Sequence, residues 1–245
     1  TLGIITCIVF KLIPLPQKSI TLLIPFKSAE DACKAVSLIF MAGITPCALE
    51  FIERDAIDWA LKYSDIKLDI EDDINAHLLV EVDGNDIEAL YVDCENIQEV
   101  VSKFECGEIT LADNDSHKDM LWKLRRSVAE AVKSNSTYKE EDTVVPRAEL
   151  PKLLKGVKEI GKNYGFNSVC YGHAGDGNLH INIIKGEMSD DKWNNDLTKA
   201  IKEIFKLTVG LGGTISGEHG IGYVQKDYID IAFFKKEIEL QKQIK

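Results

Sequence analysis

Three of the five histidines in this 245-residue sequence fall in two glycine-rich stretches, GHAGDGNLHINI (172–183) and GGTISGEHGIG (212–222). His173 and His180 bracket a turn, and His219 follows Glu218 between Gly217 and Gly220. Two imidazoles and a carboxylate form a donor set that binds a divalent cation and leaves positions open for a substrate. Read as a strand, LHINI puts His180 and Asn182 on one face, because side chains repeat every two residues. His173 reaches the same point only if GDG folds the chain back, which glycines that tolerate positive φ permit. The plainer alternative is structural: GDGN alone is a good hairpin turn, and a lone histidine is commonly a surface or core residue. Histidines clustered in loops so rich in glycine favour backbone approaching a ligand. From spacing alone the site is a metal or an anion site.

The elements that must position these residues follow from periodicity. SITLLIPF reads as a strand, and SAEDACKAVSLIFMAG as a helix with a serine N-cap and a stop at Gly43. TPCALEFI is a strand and ERDAIDWALKY a helix. The charged stretch SDIKLDIEDDIN (64–75) is a surface loop. Strand–helix–strand–helix then repeats through AHLLVEVDG, NDIEALYVDCENIQEVVSKF, ECGEITLAD and HKDMLWKLRRSVAEAVK. KSNSTYKEED (133–142) reads as a mobile polar loop, with TVVP a short strand after it. RAELPKLLKGVKEIGKNYG is an amphipathic helix, FNSVCY and LHINII are strands joined by the glycine turn, and DDKWNNDLTKAIKEIFKLTVG is a helix. DYIDIAFFKKEIELQKQIK is a last helical segment. The expected fold class is α+β: an antiparallel sheet with helices on one face, ferredoxin-like and duplicated, plus C-terminal helices.

Composition narrows the function. Forty acidic against 29 basic residues give a net charge of -11, which argues against nucleic acid or an anionic membrane as partner. Six scattered cysteines with no CxxC pair read as reduced thiols of a cytosolic protein. TLGIITCIVFKLIPLP has neither the basic flank of a signal peptide nor the length of a membrane span. It begins at threonine within what reads as a strand, so the chain is expected to be a piece of a longer one.

GHAGDGNLHINI, GTISGEHGIG, TLGIIT…KLIPLP, EDTVVPRAEL (141–150) and LWKLRRS (121–127) together resemble the flavin-linked D-2-hydroxy-acid dehydrogenases of the vanillyl-alcohol oxidase class. That group includes the glycolate oxidase flavoprotein subunit, D-lactate dehydrogenase and D-2-hydroxyglutarate dehydrogenase. The resemblance implies that residues 1–16 end an N-terminal FAD-binding domain. Residues 17–245 would be the C-terminal cap that covers the flavin and supplies the substrate site, truncated at its C-terminal end.

Carried over by motif, His173, His180 and Glu218 would ligate a divalent metal such as zinc, iron or manganese, and His219 would be the catalytic base. Arg125, three residues after Trp122, would hold the substrate carboxylate, Asn182 would sit beside substrate and metal, and Gly3 and Ile4 would approach the flavin. The 2-hydroxyglutarate branch has a lysine where this chain has Glu141, so a distal substrate carboxylate is not implied; Lys139 and Glu141 read as loop residues. Trp122 reads as core, Asp176 as a stabiliser of its own turn, and His77 and His117 as structural. The implied reaction takes a 2-hydroxy acid of glycolate or D-lactate type to the 2-oxo acid by hydride transfer to FAD. Its partners are the FAD-binding domain of the same parent chain and an electron acceptor of unknown identity. The implied location is cytoplasmic, with peripheral membrane contact through that acceptor. From the histidine cluster alone, a self-standing metal-dependent hydrolase is the competing expectation.

Overall fold

The computed structural model describes residues 2–245; Thr1, the first residue of the expected flavin-side segment, lies outside the described residues. Seven strands form one antiparallel sheet: β1 (Lys18–Phe26), β2 (Ala48–Glu53), β3 (Ala76–Gly84), β4 (Thr110–Ala112), β5 (Tyr138–Val144), β6 (Asn167–Gly172) and β7 (Asn178–Ile184), in the order β4-β1-β3-β2-β6-β7-β5. The helices are α1 (Ala29–Met41), α2 (Arg54–Tyr63), α3 (Ile87–Val101), α4 (Asp115–Asn135), α5 (Leu150–Tyr164), α6 (Asp190–Gly210), α7 (Ile229–Ala232) and α8 (Lys235–Ile244).

The duplication is present, but its unit differs from the simple strand–helix alternation. Residues 18–112 run β1-α1-β2-β3-α3-β4 with the strand order 4-1-3-2 of a ferredoxin-like unit, and α2 is inserted between β2 and β3. Residues 138–214 repeat the plan as β5-α5-β6-β7-α6, with the fourth strand reduced to the single bridge Val144–Thr214. The two units join edge to edge through Phe51–Gly172 and Ile52–Tyr171. Because the last strand is cut to one bridge, the chain from Ile215 leaves the sheet as a loop beside β5.

Local chemistry sets the helix ends. Ser28 caps α1, its Oγ accepting the Asp31 N–H at 3.2 Å. Pro151 stands in the first turn of α5, and Gly165 ends that helix in the left-handed region at φ 79°.

Alternation along the strands divides the sheet into unlike faces. Ile20, Leu22, Ile24 and Phe26 of β1, Leu78 and Val80 of β3, Phe51 of β2 and Leu179, Ile181 and Ile183 of β7 point into the main core, under α1, α3, α5 and α6. The other face is partly covered by α2 and α4: Ala56, Ile57 and Ala60 meet Leu124, Val128 and Val132 over Ile52, Val169 and Tyr171. Helices therefore lie on both faces, not one. The stretch 64–75 is not a purely solvated loop either, since Ile66, Leu68 and Ile70 alternate inward against this second face.

Residues 2–17 form no helix or strand, and their apolar side chains stand in solvent, with Ile4 89% and Val9 92% exposed. The C-terminal helical segment breaks at Phe233 and Phe234 into α7 and α8. Among the described residues no helix is long and apolar enough to cross a membrane.

Candidate active site

The site grows from the second face of the sheet, where pleating lines up side chains of paired strands. His180 on β7 stands opposite Asp142 on β5 and Tyr171 on β6, and Asn182 stands opposite Glu140 and Val169. Glu50 on β2 belongs to the same face, as does Ile52, which pairs with Tyr171. Across it runs α4, whose Leu124 and Val128 seat it on the apolar part while Arg125 enters the polar part, buried to 8% exposure.

The turn from β6 to β7 brings His173 back over this face. Ala174–Asp176 form one 3-10 turn, with the N–H groups of Asp176 and Asn178 both donating to His173 O at 2.9 and 3.2 Å. Gly177 closes it at φ 76°, and a Cβ there would meet Val145 O at 2.0 Å. The turn is held by backbone, not by an Asp176 side-chain bond; Asp176 is exposed and its carboxylate makes no hydrogen bond among the described residues.

The second glycine-rich loop is anchored by Asp142. Its Oδ2 accepts the backbone N–H of Glu218 at 2.8 Å and of His219 at 2.9 Å, and its Oδ1 accepts from Asn178 Nδ2 at 2.6 Å. Gly217 is required here for space: a Cβ would lie 2.2 Å from Asn178 Nδ2. Burial raises the carboxyl pKa of Asp142, but these N–H donors outweigh it and hold it below its ordinary value.

Together these elements put one carboxylate among three imidazoles. Glu218 Oε1 lies 3.3 Å from His180 Nε2, 3.7 Å from His219 Nε2 and 3.9 Å from His173 Nε2. Behind them, His173 Nδ1 is 2.7 Å from Glu50 Oε1, and Glu50 Oε2 accepts from Arg125 Nε at 2.9 Å and forms an ion pair with Nη2 at 2.7 Å. Burial raises the Glu50 pKa, yet His173 and Arg125 prevail and hold it below normal; its hydrogen bond to Glu50 raises that of His173. Glu140 Oε1 lies 3.1 Å from His180 Nδ1 without hydrogen-bond alignment, and His180 beside it holds the Glu140 carboxyl low.

The donor atoms fit a divalent cation. One atom each from His173, His180 and Glu218 lie within 4.8 Å of one another, and so do atoms of Glu140, His180 and His219. His180 belongs to both groups.

Of the residues expected from sequence, His173, His180, Glu218 and His219 converge, and Arg125 joins them through Glu50. Asn182 shares their face and is fully buried, its Nδ2 donating to Val169 O at 3.2 Å and its Oδ1 without a partner among the described residues. Gly3 and Ile4 lie in the exposed N-terminal segment, and a Cβ on Gly3 would meet nothing within 4 Å. Trp122 is half-buried beside Leu121, its indole donating to Glu81. His77 is buried in β3. Lys139 and Glu141 are strand residues of β5, not loop residues; they pair with each other on the face away from the histidines, with Glu141 fully buried.

Glu50, Glu140 and Asp142 were not expected as site residues. An acid flanked by apolar residues on both sides in ALEFI marks Glu50, and alternation in YKEEDTV marks the other two.

Residues 15–245 match the family of FAD linked oxidases, C-terminal domain. The chain belongs to this family. Among similar proteins are D-lactate dehydrogenase of Anaerostipes hadrus, 33% identical over 94% of this chain and 49% of that protein, and glycolate oxidase subunit GlcD of Bacillus subtilis, 32% identical over 100% and 52%. D-lactate dehydrogenase of Archaeoglobus fulgidus is 30% identical over 100% and 52%. The chain thus spans about half the length of the curated relatives it matches. Its fold also matches p-cresol methylhydroxylase with substrate bound, at TM-score 0.66 and 12% identity over 96% of this chain and 51% of that one. A second match is 4-ethylphenol oxidase from Gulosibacter chungangensis, at TM-score 0.64 and 11% identity over 96% and 52%. At such identities these two speak for the fold alone.

Proposed function

We propose that this FAD-linked oxidase domain is the substrate-binding and base-carrying half of an enzyme that oxidises a 2-hydroxy acid of glycolate or lactate type to the 2-oxo acid. The observation that carries the reading is Glu218 Oε1 within 3.9 Å of three imidazole Nε2 atoms, one step through Glu50 from a buried arginine. FAD, held mainly by a second domain, supplies the two-electron acceptor. His173, His180 and Glu218 would hold a divalent cation, which would supply Lewis acidity toward the substrate hydroxyl.

The chain's own groups do the rest. Arg125 keeps Nη1 without a protein acceptor among the described residues and offers it to the substrate carboxylate. That contact and the histidine side of the face fix the acid from two ends, so one face of its Cα is held toward the flavin. His219, half-exposed at the mouth of the cluster, takes the hydroxyl proton at Nε2 as the general base. In this reading residues 2–16, apolar and exposed, belong to the end of the flavin domain, and the cap begins near residue 17. The metal-dependent hydrolase expected from the cluster alone finds no support in the family or the fold.

The test is the full-length flavoprotein mixed anaerobically with glycolate, each lactate enantiomer and 2-hydroxyglutarate. Bleaching of the flavin by glycolate or one lactate supports the reading. A flavin that none of the acids reduces would overturn it.

A further inference from the structure

We propose that Glu50 is a positioning residue that sets the orientation of His173 and Arg125 at once, so that the cation side and the carboxylate side of the site are coupled through one buried side chain. The inference rests on the reading above for the roles of those two residues, but its geometry stands independently. Glu50 projects from the middle of β2, between Leu49 and Phe51 of the main core, and is 5% exposed. Each of its oxygens has a separate task. Oε2 accepts the Nε proton of Arg125 at 2.9 Å and lies 2.7 Å from its Nη2, and Oε1 meets His173 Nδ1 at 2.7 Å.

Proton bookkeeping then fixes the imidazole. Arginine only donates, and a carboxylate ionised beside it only accepts, so the short contact to Oε1 requires the proton to sit on His173 Nδ1. In neutral His173 the lone pair is therefore on Nε2, the nitrogen that faces Glu218 Oε1. A carboxylate behind a histidine in this way holds the ring angle and the tautomer that a cation needs. The same carboxylate grips one edge of the guanidinium, stacked over Tyr171 at 5.2 Å, and leaves Nη1 as the free corner. A glutamine at 50 cannot do both tasks: with its oxygen toward Arg125, its NH2 group faces His173 Nδ1 and drives the imidazole proton to Nε2.

The test has two parts. The first uses the unmutated chain, 15N-labelled at histidine and stripped of metal, at a pH where its histidines are neutral. His173, assigned by comparison with His173→Ala, should carry its proton on Nδ1; a proton on Nε2 overturns the proposal without any variant having to fold. The second uses Glu50→Gln. His173 should no longer hold its proton on Nδ1, and Zn2+ affinity measured against a chelator should fall about 10- to 100-fold. In the full-length flavoprotein the KM for the 2-hydroxy acid should rise more than kcat falls. An unchanged tautomer in Glu50→Gln contradicts the proposal. Zn2+ failing to bind even the unmutated chain would instead remove the cation reading, with the tautomer result still deciding the role of Glu50.

Discussion

Asp142 Oδ2 accepts the backbone N–H of His219 at 2.9 Å, fastening the loop after α6 to the edge strand of the sheet. The neighbouring N–H of Glu218 shares the same oxygen. The position of Glu218 among the histidines is therefore set by a strand residue, not by the loop's own rigidity.

Asp142→Asn should release that loop, because an amide brings N–H groups against N–H donors. Buried donors left without an acceptor cost about 1–3 kcal/mol. The expected result is a lower denaturation midpoint with metal binding and turnover reduced together. An unchanged metal affinity would mean the loop finds its place without Asp142.

His219→Asn separates base from ligands. Metal content should stay near that of the unmutated protein, while flavin reduction by substrate in the full-length enzyme slows about 10²- to 10⁴-fold, the usual contribution of a general base. Rapid-mixing absorbance gives the rate, and an unchanged rate removes His219 from the role.

Gly177→Ala tests the turn that returns His173 to the site. At φ 76°, with Val145 O 2.0 Å from the added Cβ, the substitution should cost more than about 1 kcal/mol. For a chain of this size that is a fall of about 2–4 °C in Tm per kcal/mol. A thermal midpoint equal to that of the unmutated protein would show that the turn relaxes freely.

His77 gives the pH dependence of stability. Burial, aided by the nearby Arg54, lowers its pKa from 6.5 to about 4. The unfolded chain then binds more protons than the folded one between those values, so stability rises with pH across that window. The contribution is complete above about pH 6.5 and is lost as pH falls toward 4, for a total of about 3 kcal/mol. Urea midpoints at several pH values should show a steeper acid loss in the unmutated protein than in His77→Gln. Equal slopes would mean His77 takes its proton without hindrance.

The histidine motifs were legible because glycine, histidine and glutamate crowd two short stretches whose turn chemistry is recognisable. The strand that completes the site was not. Its part up to Asp142 reads as a polar loop because Glu140 and Asp142 occupy site-facing positions and Lys139 and Glu141 pair with each other behind. A strand whose inward face holds the site's carboxylates lacks the apolar alternation that identifies strands. Glu50 is hidden for the opposite reason: it is an acid between apolar neighbours, and its partners lie 75 and 123 residues away. The helices on the second face were missed because α2 and α4 have the same amphipathic pattern as those on the first, and sequence carries no label for which face a helix covers.

The most direct test of the account is metal content by elemental analysis after loading with Mn2+ or Zn2+ and desalting, with His180→Ala treated in parallel. His180 belongs to both possible donor groups. The account predicts about one equivalent in the unmutated chain and almost none in the variant. An unmutated chain that retains no cation, or a His180→Ala protein that retains a full equivalent, would contradict it.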